Sequence, residues 1–440
     1  MKTLNGKPVA RLSIPVIGAM SPEQGKDLTL YGIVHTLIDM GKFYFVKLRT
    51  PEGFVQCVLD KSEDAEPPKC ESAVQVVGDK REDERAPFGF EILVKSLSVL
   101  SAPKAELPII VNKRKYNVHL DTDLVYRHLG LRNATRRAVF KLSEAILYEF
   151  REFLKDNAFT EIHSPKIVSS GAEGGANIFK LDYFGKNAYL AQSPQFYKQM
   201  MIPVYERVCE IGPVFRAEKH DTARHLNEYI SVDMEIGFIE SFYDICNMEA
   251  AMIKFCFAAL QEKHAALLAL LDVTLPQVDE IPCVRFQEAK EMVAERYNRR
   301  IKDPFDLEPE EERLISEVIK ETTGSEFVFV THYPDKKRPF YAMNDPEDAR
   351  YTLSFDLLFR GMEITTGGQR IHDYDQQVAK MQAKGLNPTD FESYLLLHKH
   401  GVPPHGGMGM GLERIVMKLL NEANIRTTAL FPRDTSRLDP

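Results

Sequence analysis

Four hundred and forty residues exceed what one ordinary core organises, and at ~150 residues per domain the length predicts two or three domains. Hydrophobic residues make up 44% and charged residues 27%, with 25 Gly and 25 Pro, which excludes collagen-like, low-complexity and wholly disordered chains. The 56 Lys plus Arg stand against 64 Asp plus Glu, a formal charge of −8, so a uniformly basic nucleic-acid binder is disfavoured while a local basic surface is not.

Cys57, Cys70, Cys209, Cys246, Cys256 and Cys283 form no CxxC pair and have no His at zinc spacing. That pattern predicts a reducing compartment, with neither a disulfide framework nor a structural zinc. The first twenty residues are broken by Lys2, Lys7 and Arg11 and lack the apolar core of a secretory signal. The apolar run Ala250 to Leu271 carries Lys254, Glu262, Lys263 and His264, so it does not read as a membrane span. A cytoplasmic location without membrane contact is the expectation.

The first hundred residues read as strands. Leu28, Leu30, Ile33 and Val34 lie in an apolar run, and Tyr44, Val46 and Leu48 alternate with Phe45, Lys47 and Arg49. Val55, Cys57 and Leu59 alternate, as do Val74 and Val76, and Glu91 to Leu100 closes the set. Met40-Gly41, Pro51-Glu52-Gly53 and Ala86-Pro87-Phe88-Gly89 are the turn signals between them. Five short strands predict a small barrel of the oligonucleotide-binding type over residues 1–102, with the polar Lys61 to Lys69 as a loop. Residues 103–133 read as a hinge, where Pro103, Pro108 and Lys113-Arg114-Lys115 precede Arg127, Arg132, Arg136 and Arg137. This basic run suits either a solvated linker or contact with a polyanion.

Residues 134–440 predict a second domain of α+β class. Val139, Phe140, Ser143, Ile146, Leu147, Phe150, Phe153 and Leu154 share one face of a helix that Asn157 ends. Strands are expected near Ala188–Ala191, Arg207–Pro213, Ile230–Phe238, Phe327–Thr331 and Leu353–Thr366, and helices at Tyr243–Leu271, Phe286–Tyr297 and Pro309–Thr322. Strand runs separated by long insertions, without a βαβ rhythm, argue for a largely antiparallel sheet flanked by helices.

Several constellations could carry chemistry. Gly406-Gly407-Met408-Gly409-Met410-Gly411 looks like a phosphate loop but lacks the Lys-Ser/Thr of a P-loop, and tight backbone packing is its plainer reading. Leu412-Glu413-Arg414 then opens a helix that can set a guanidinium beside an anion or over a purine. Phe215-Arg216-Ala217-Glu218 and Arg224-His225-Leu226-Asn227-Glu228, followed by Asp233-Met234-Glu235, put two arginines on a hairpin able to clamp phosphates. Each charge-assisted contact of that kind is worth roughly 1.5–3 kcal/mol. Asp356, Glu363 and Thr366 offer hard oxygen donors that suit Mg²⁺ on phosphates better than zinc. Gln192-Ser193-Pro194-Gln195-Phe196-Tyr197-Lys198 is polar at a strand end. Singly, surface ion pairing or an ordinary loop accounts for each.

Together, and in this order, they carry a family resemblance. Phe159 to Pro165, ending His163-Ser164-Pro165, the Phe215-Arg216-Ala217-Glu218 block and Gly409-Met410-Gly411-Leu412-Glu413-Arg414 resemble the three motifs of class II aminoacyl-tRNA synthetases. Gln192-Ser193-Pro194-Gln195, Arg224 to Glu228 and Gly368-Gln369-Arg370 resemble the aspartyl group of archaeal and eukaryotic type. The likeness runs along the whole chain to Phe431-Pro432-Arg433-Asp434.

The resemblance implies a five-stranded anticodon-binding barrel, a hinge, and a class II catalytic domain on an antiparallel sheet, working as a homodimer with Pro165 at the interface. It implies ATP-dependent activation of L-aspartate to aspartyl-adenylate and transfer to the 3′ end of tRNA-Asp. Arg216 would grip the α-phosphate and the attacking carboxylate, and Arg414 the γ-phosphate. Glu218, Arg224, His225, Leu226, Glu363, Gly411, Leu412 and Glu413 would hold ATP. Glu363 and Thr366, with Asp356 as a third, match magnesium ligands, and Thr366 stands where the family usually has Ser. Glu173 would accept the substrate ammonium with Gln195 and Thr366 nearby, while Lys198 and Arg370 would pair with its side-chain carboxylate. Asparagine would leave those two cations poorly paired, and specificity built on such pairing can reach roughly 10⁴–10⁵. An asparaginyl-tRNA synthetase and a tRNA-independent adenylate-forming ligase are the alternatives.

In the barrel, Phe45 and Gln56 match positions that stack on or hydrogen-bond anticodon bases, whereas Ile38 and Thr50 replace the family's usual Arg and Asp. His35 and Pro87 resemble the residue types of members that charge both tRNA-Asp and tRNA-Asn, which implies an amidotransferase partner for Asp-tRNA-Asn.

Overall fold

Ser13 and Pro15 start the first helix: the Ser13 hydroxyl accepts from the Val16 N–H and Pro15 sits where no donor is needed. This helix, α1 (Ile14–Ala19), was not anticipated from the sequence; its Ile14 and Ile17 join a core with Leu30, Val46, Leu48, Val55, Cys57, Val76 and Ile92. Those residues come from β1 (Leu28–Asp39), β2 (Phe43–Arg49), β3 (Phe54–Asp60), β4 (Ala73–Glu82) and β5 (Phe90–Ser101), which close into a barrel in the order β1-β2-β3-β5-β4. The expected alternation is realised: Val46, Leu48, Val55 and Cys57 face inward, so Phe45, Lys47 and Gln56 face out.

The computed structural model describes residues 11–61, 66–169, 177–219 and 222–439. Within it, one compact unit comprises Met1–His119 with His128–Arg136, and the other Leu120–Arg127 with Arg137–Pro440. The segment read as a hinge holds two short helices, α2 (Leu120–Val125) and α3 (Arg127–Gly130). Asn133 then accepts from the N–H groups of Thr135 and Arg136, starting α4 (Ala134–Asp156). The remaining elements in chain order are β6 (Thr160–Glu161), β7 (Ile167–Val168), β8 (Lys180–Tyr183), β9 (Lys186–Leu190), α5 (Gln195–Met200), α6 (Ile202–Tyr205), β10 (Arg207–Phe215) and β11 (Glu228–Gly237). They continue with α7 (Tyr243–Lys263), α8 (Ala265–Leu270), β12 (Cys283–Arg285), α9 (Phe286–Tyr297), α10 (Pro309–Thr323) and β13 (Phe327–Thr331). Last come β14 (Ser354–Phe359), β15 (Met362–Gln369), α11 (Tyr374–Ala383), α12 (Glu392–Lys399), β16 (His405–Gly411) and α13 (Leu412–Leu419).

Among the described residues, eight strands form one sheet in the order β12-β13-β14-β15-β16-β11-β10-β6. Only its outer pairs, β12 with β13 and β10 with β6, are parallel. A smaller sheet, β7-β9-β8, stands apart from it. Leu142, Ile146, Phe150 and Phe153 of α4 and Met252, Ile253, Cys256 and Leu260 of α7 cover one face of the large sheet, packing on Met234, Phe355, Leu357, Met408 and Met410. Each such side chain, fully buried, stabilises the fold by roughly 1.5–3 kcal/mol.

Two expected elements are divided. The run Leu353–Thr366 is a hairpin, because Arg360 (φ 46°) and Gly361 (φ 78°) turn the chain between β14 and β15. The long helix from Tyr243 breaks at His264 (φ −129°) into α7 and α8. Among the described residues, no helix is long and apolar enough to cross a membrane.

Candidate active site

Period two in β11 and β16 builds the floor of the site. Met234 and Ile236 point into the core, so Asp233 and Glu235 point to the opposite face of the sheet. Across the ladder Asp233 pairs with Gly409 and Glu235 with Gly407, while Met408 and Met410 fill the core side. A Cβ on Gly407 would lie 2.1 Å from Glu235 Oε2, and one on Gly409 3.1 Å from Asp233 Oδ1. The glycine run is therefore a mid-sheet strand and not a phosphate loop. Its glycines are there for close packing, and what they make room for is two carboxylates.

Two buried cations meet those carboxylates. Lys198, from α5, donates to Asp233 Oδ1 at 3.0 Å and to the Met408 carbonyl at 2.9 Å, and its Nζ lies 3.3 Å from Glu235 Oε2. Arg370, just past β15, donates from Nε to Glu235 Oε1 at 2.9 Å and from Nη2 to Oε2 at 3.2 Å and the Gly407 carbonyl at 2.9 Å. Burial pushes the Glu235 carboxyl up, but Arg370 and Lys198 outweigh it and hold it below its ordinary value. Arg370 Nη1 makes no hydrogen bond to the described residues. Gln195 lies at the same wall, donating to Gln199 Oε1 at 2.9 Å.

The β10–β11 hairpin forms a second wall. Asn227 Nδ2 donates to the carbonyls of Arg216 (2.6 Å) and Glu218 (3.1 Å), holding the two sides of the loop together. The Thr222 hydroxyl sits 2.6 Å from His225 Nδ1 and accepts from the Arg224 N–H at 3.2 Å, and His225 Nε2 is 3.7 Å from Glu218. Leu226 is buried against Met417 and Ile425 beneath the hairpin.

The third wall depends on a bulge. β14 and β15 slip register between Leu357 and Leu358, leaving Ile364 as an extra residue on β15. In a regular strand Glu363 and Thr366 would face opposite sides; the extra residue puts them together, with Thr366 Oγ1 donating to Glu363 Oε1 at 3.1 Å. Arg414, in the first turn of α13, donates to the Glu363 carbonyl at 2.9 Å and to Oε1 at 3.2 Å. Asp356 lies opposite Thr366 in the ladder, but its carboxylate is 2.8 Å from Arg338 Nη2, and that guanidinium stacks 4.0 Å over the Tyr333 ring. Burial, partly offset by Arg338, pushes Asp356 up to about 6; Glu363 is held low because Arg414 and Arg338 outweigh its burial. Glu363 and Thr366 are adjacent oxygen donors of the kind Mg²⁺ takes when substrate phosphates and water complete the shell, so the chemistry of the pair fits that ion.

These walls enclose a cavity of about 380 Å³ that gathers Gln195, Lys198, Arg216, Glu218, Arg224, His225, Leu226, Glu363, Thr366, Arg370, Gly411, Glu413 and Arg414. Among the described residues it is lined by seven Lys or Arg against four Asp or Glu, on a chain whose overall charge is −8. The cavity is thus a local attractor for a polyanion. Glu413 accepts from the Ile230 N–H at 3.1 Å, and burial pushes its carboxyl up to about 7. Leu412 is different: its side chain packs in the main core, which leaves only its backbone for the cavity. Glu173 lies outside the described residues.

Sequence reasoning assigned no role to Asp233, Glu235, Glu312 or Arg338. Glu312 accepts from Arg224 Nη2 at 2.5 Å, and burial pushes its carboxyl up to about 6. The alternation of Asp233-Met234-Glu235 with a core methionine was an available signal for the first two; nothing local marked the others.

In the barrel, Phe45 lies edge-on to Phe43 at 5.1 Å on the outer face, and Gln56 Nε2 donates to Glu91 at 2.9 Å. His35 occupies the β1 bulge, buried, with Nδ1 3.1 Å from Arg49 Nη1 and its ring 4.6 Å from Phe54. Pro87 is exposed in the β4–β5 turn, Ile38 is exposed on β1, and the Thr50 N–H closes the β2–β3 turn onto the Gly53 carbonyl at 2.8 Å.

A family model for class II tRNA synthetases (D, K and N) matches residues 119–435, and one for the OB-fold nucleic-acid-binding domain matches residues 28–100. The chain is 44% identical over 423 residues to an aspartate–tRNA(Asp/Asn) ligase of Deinococcus radiodurans, covering 95% of this chain and 96% of that protein. It is 43% identical over 417 residues to the aspartate–tRNA(Asp/Asn) ligase of Thermus thermophilus, covering 94% and 97%. Its fold matches asparaginyl-tRNA synthetase from Pyrococcus horikoshii, complexed with asparaginyl-adenylate, with a TM-score of 0.89 at 33% identity over 98% of this chain and 100% of that one.

Proposed function

This chain belongs to the class II tRNA synthetases (D, K and N), and from that premise we propose that it is an aspartate–tRNA ligase. It activates L-aspartate with ATP to aspartyl-adenylate and pyrophosphate, and passes the aspartyl group to the 3′ end of tRNA. The observation that carries the amino-acid choice is the Arg370 guanidinium: two of its nitrogens are locked on Glu235, and Nη1 is left for one more acceptor. A substrate carboxylate there makes a charge-assisted bond, roughly twice as strong as the bond to a neutral amide oxygen.

The geometry alters the argument about specificity. Lys198 is already matched by Asp233 and Glu235, so asparagine does not leave two unpaired cations behind. Lys198 holds the two carboxylates in place, and Arg370 makes the substrate contact. Glu173 and Gln195 complete the amino-acid pocket at the ammonium group.

Adenylate formation needs positioning and charge stabilisation from the protein. Arg216 faces the α-phosphate and the attacking α-carboxylate of aspartate, lowering the charge repulsion between them. Arg414 takes the γ-phosphate. Arg224, His225, Leu226 and Glu218 hold the nucleotide from the hairpin, and Gly411, Glu413 and the Leu412 backbone hold it from β16 and α13. Glu363 and Thr366, with Asp356 behind them, would hold Mg²⁺, which supplies further charge neutralisation on the phosphates when bound. The chain works as a cytoplasmic homodimer with Pro165 at the subunit contact.

The barrel reads the anticodon through Phe45 and Gln56. His35 and Pro87, together with relatives named for both tRNA-Asp and tRNA-Asn, support charging of both tRNAs, and Asp-tRNA-Asn then requires an amidotransferase downstream. The deciding experiment is aminoacylation with labelled aspartate on separate tRNA-Asp and tRNA-Asn transcripts at fixed salt. Comparable charging is the expected result, charging of tRNA-Asp alone removes the second substrate, and activation without charging of either points to a small-molecule ligase. Labelled asparagine, run in parallel, is the arm in which an asparaginyl enzyme would respond.

A further inference from the structure

Helix α10 opens with three consecutive glutamates, and helical geometry sends successive side chains about 100° apart. Glu310 goes to the surface, where it pairs with Arg313. Glu311 is buried and fastens the helix: it accepts from Lys290 Nζ of α9 at 2.6 Å and from the Glu308 N–H at 2.9 Å. Glu312 turns towards the cavity wall. Its Oε2 accepts from Arg224 Nη2 at 2.5 Å and from the Glu363 N–H at 2.9 Å.

One buried oxygen therefore joins the tip of the β10–β11 hairpin to the start of β15. The same Glu363 peptide segment is held from its other side by Arg414, which donates to the Glu363 carbonyl. Without Glu312 the long Arg224 side chain loses its fixed acceptor, and the Glu363 N–H loses its partner. Neither loss touches the Lys198, Arg370, Asp233 and Glu235 group at the opposite wall.

We propose that Glu312 is a positioning residue for ATP: it sets the Arg224 guanidinium and the Glu363 backbone at a common spacing, so that the triphosphate meets a prepared pair. Helix α10 lies outside every motif block on which the family resemblance rests. The inference depends on the reading of this cavity as the ATP site of a ligase, and the test keeps the two apart.

Aspartate-dependent exchange of pyrophosphate with ATP, measured on the full chain, compares wild type, Glu312→Gln, Arg224→Ala and the double variant, each checked for melting temperature. Glu312→Gln raises the KM for ATP about 10-fold or more, as expected for one lost charge-assisted hydrogen bond, and leaves the KM for aspartate within about twofold. The effects of the two single substitutions do not add in the double variant, because Glu312 acts through Arg224. Equal rises in both KM values, an unchanged KM for ATP, or additive effects overturn the proposal. If Glu312→Gln does not fold, Glu312→Asp, which keeps the charge and shortens the reach, carries the same comparison. If wild type shows no exchange, the ligase reading has failed on its own account. Calorimetric titration of Mg-ATP into wild type and Glu312→Gln then decides Glu312: binding weakened about 10-fold supports it, and equal binding overturns it.

Discussion

Gly407 stands directly opposite Glu235 in the β11–β16 ladder, so close that a Cβ on the glycine would lie 2.1 Å from Glu235 Oε2. The carboxylate occupies the space a side chain would take, and from there it receives both Lys198 and Arg370. Gly407→Ala must displace Glu235 or bend the strand, at a cost of about 1–3 kcal/mol for overpacking. Aspartate activation falls with it, since Arg370 loses its anchor. A Gly407→Ala protein with wild-type unfolding midpoint in urea and wild-type KM for aspartate would show that the glycine serves some other purpose.

Lys198 and Arg216 separate stability from chemistry. Lys198→Ala leaves Asp233 and Glu235 buried with less compensation, and breaking a buried pair from one side costs about 3–5 kcal/mol. Arg216 is half-buried at the loop, so Arg216→Ala leaves the fold intact while pyrophosphate exchange drops by about 10²–10³-fold. Urea denaturation and exchange on both variants give the comparison. Near-wild-type exchange in Arg216→Ala would remove it from the phosphate contact.

Glu249 on α7 is fully buried, and burial, against a weaker pull from the Thr365 hydroxyl, pushes its carboxyl up to about 8. In the unfolded chain the same group titrates near 4.3. Between those values the folded protein holds a proton that the unfolded chain has released, so stability falls as pH rises from about 4.5 to 8 and is level above. Glu249→Gln removes that falling limb. The two proteins have similar urea midpoints at pH 5, and the variant is the more stable at pH 8.5, by up to a few kcal/mol. Parallel pH profiles for both would place the wild-type slope elsewhere.

Thr366 and Glu363 form the oxygen pair proposed to hold Mg²⁺. Thr366→Ser keeps the hydroxyl and retains activity within a few-fold, whereas Thr366→Val raises the Mg²⁺ concentration needed for half-maximal exchange by about 10-fold. Magnesium titrations of exchange activity at fixed ATP provide the measurement. Identical Mg²⁺ dependence in the valine variant would take Thr366 out of the site.

Phe45 offers a ring on the outer face of the barrel. Base stacking on an aromatic side chain is worth about 1–3 kcal/mol. Phe45→Ala therefore raises the KM for tRNA roughly 5- to 150-fold and leaves pyrophosphate exchange untouched. An effect on exchange as well would mean that the substitution reaches the catalytic unit.

Much of the architecture was legible because it is periodic. The β2 and β3 alternation, the α4 stripe from Val139 to Leu154 and the strand pairing of Arg207–Phe215 with Glu228–Gly237 follow from which residues must face a core. The segment from 406 to 411 was ambiguous because its alternation rests on two residues, Met408 and Met410, and its glycines suit a loop as well as a strand. Only the ladder with β11 and β15 shows that this segment is sheet. Glu363 and Thr366, grouped in the sequence by their oxygen donors, are three apart, and it is the bulge at Ile364 that lets the two side chains meet on one strand.

The amino-acid order by itself determined the barrel, the class of the second sheet and the blocks that hold most of the cavity's residues, because each depends on local spacing or on a short run of particular side chains. Tertiary structure alone decided how the charges are shared. Lys198, which the family resemblance puts against the substrate carboxylate, also meets Asp233 and Glu235, and Asp356, its third candidate magnesium ligand, meets Arg338; no spacing in the sequence shows either pairing. Glu312, silent in the sequence, turns out to bind two walls together. Ion pairing acts over a few ångströms between residues that are remote along the chain, and its strength is set by burial and approach, quantities that no local pattern records.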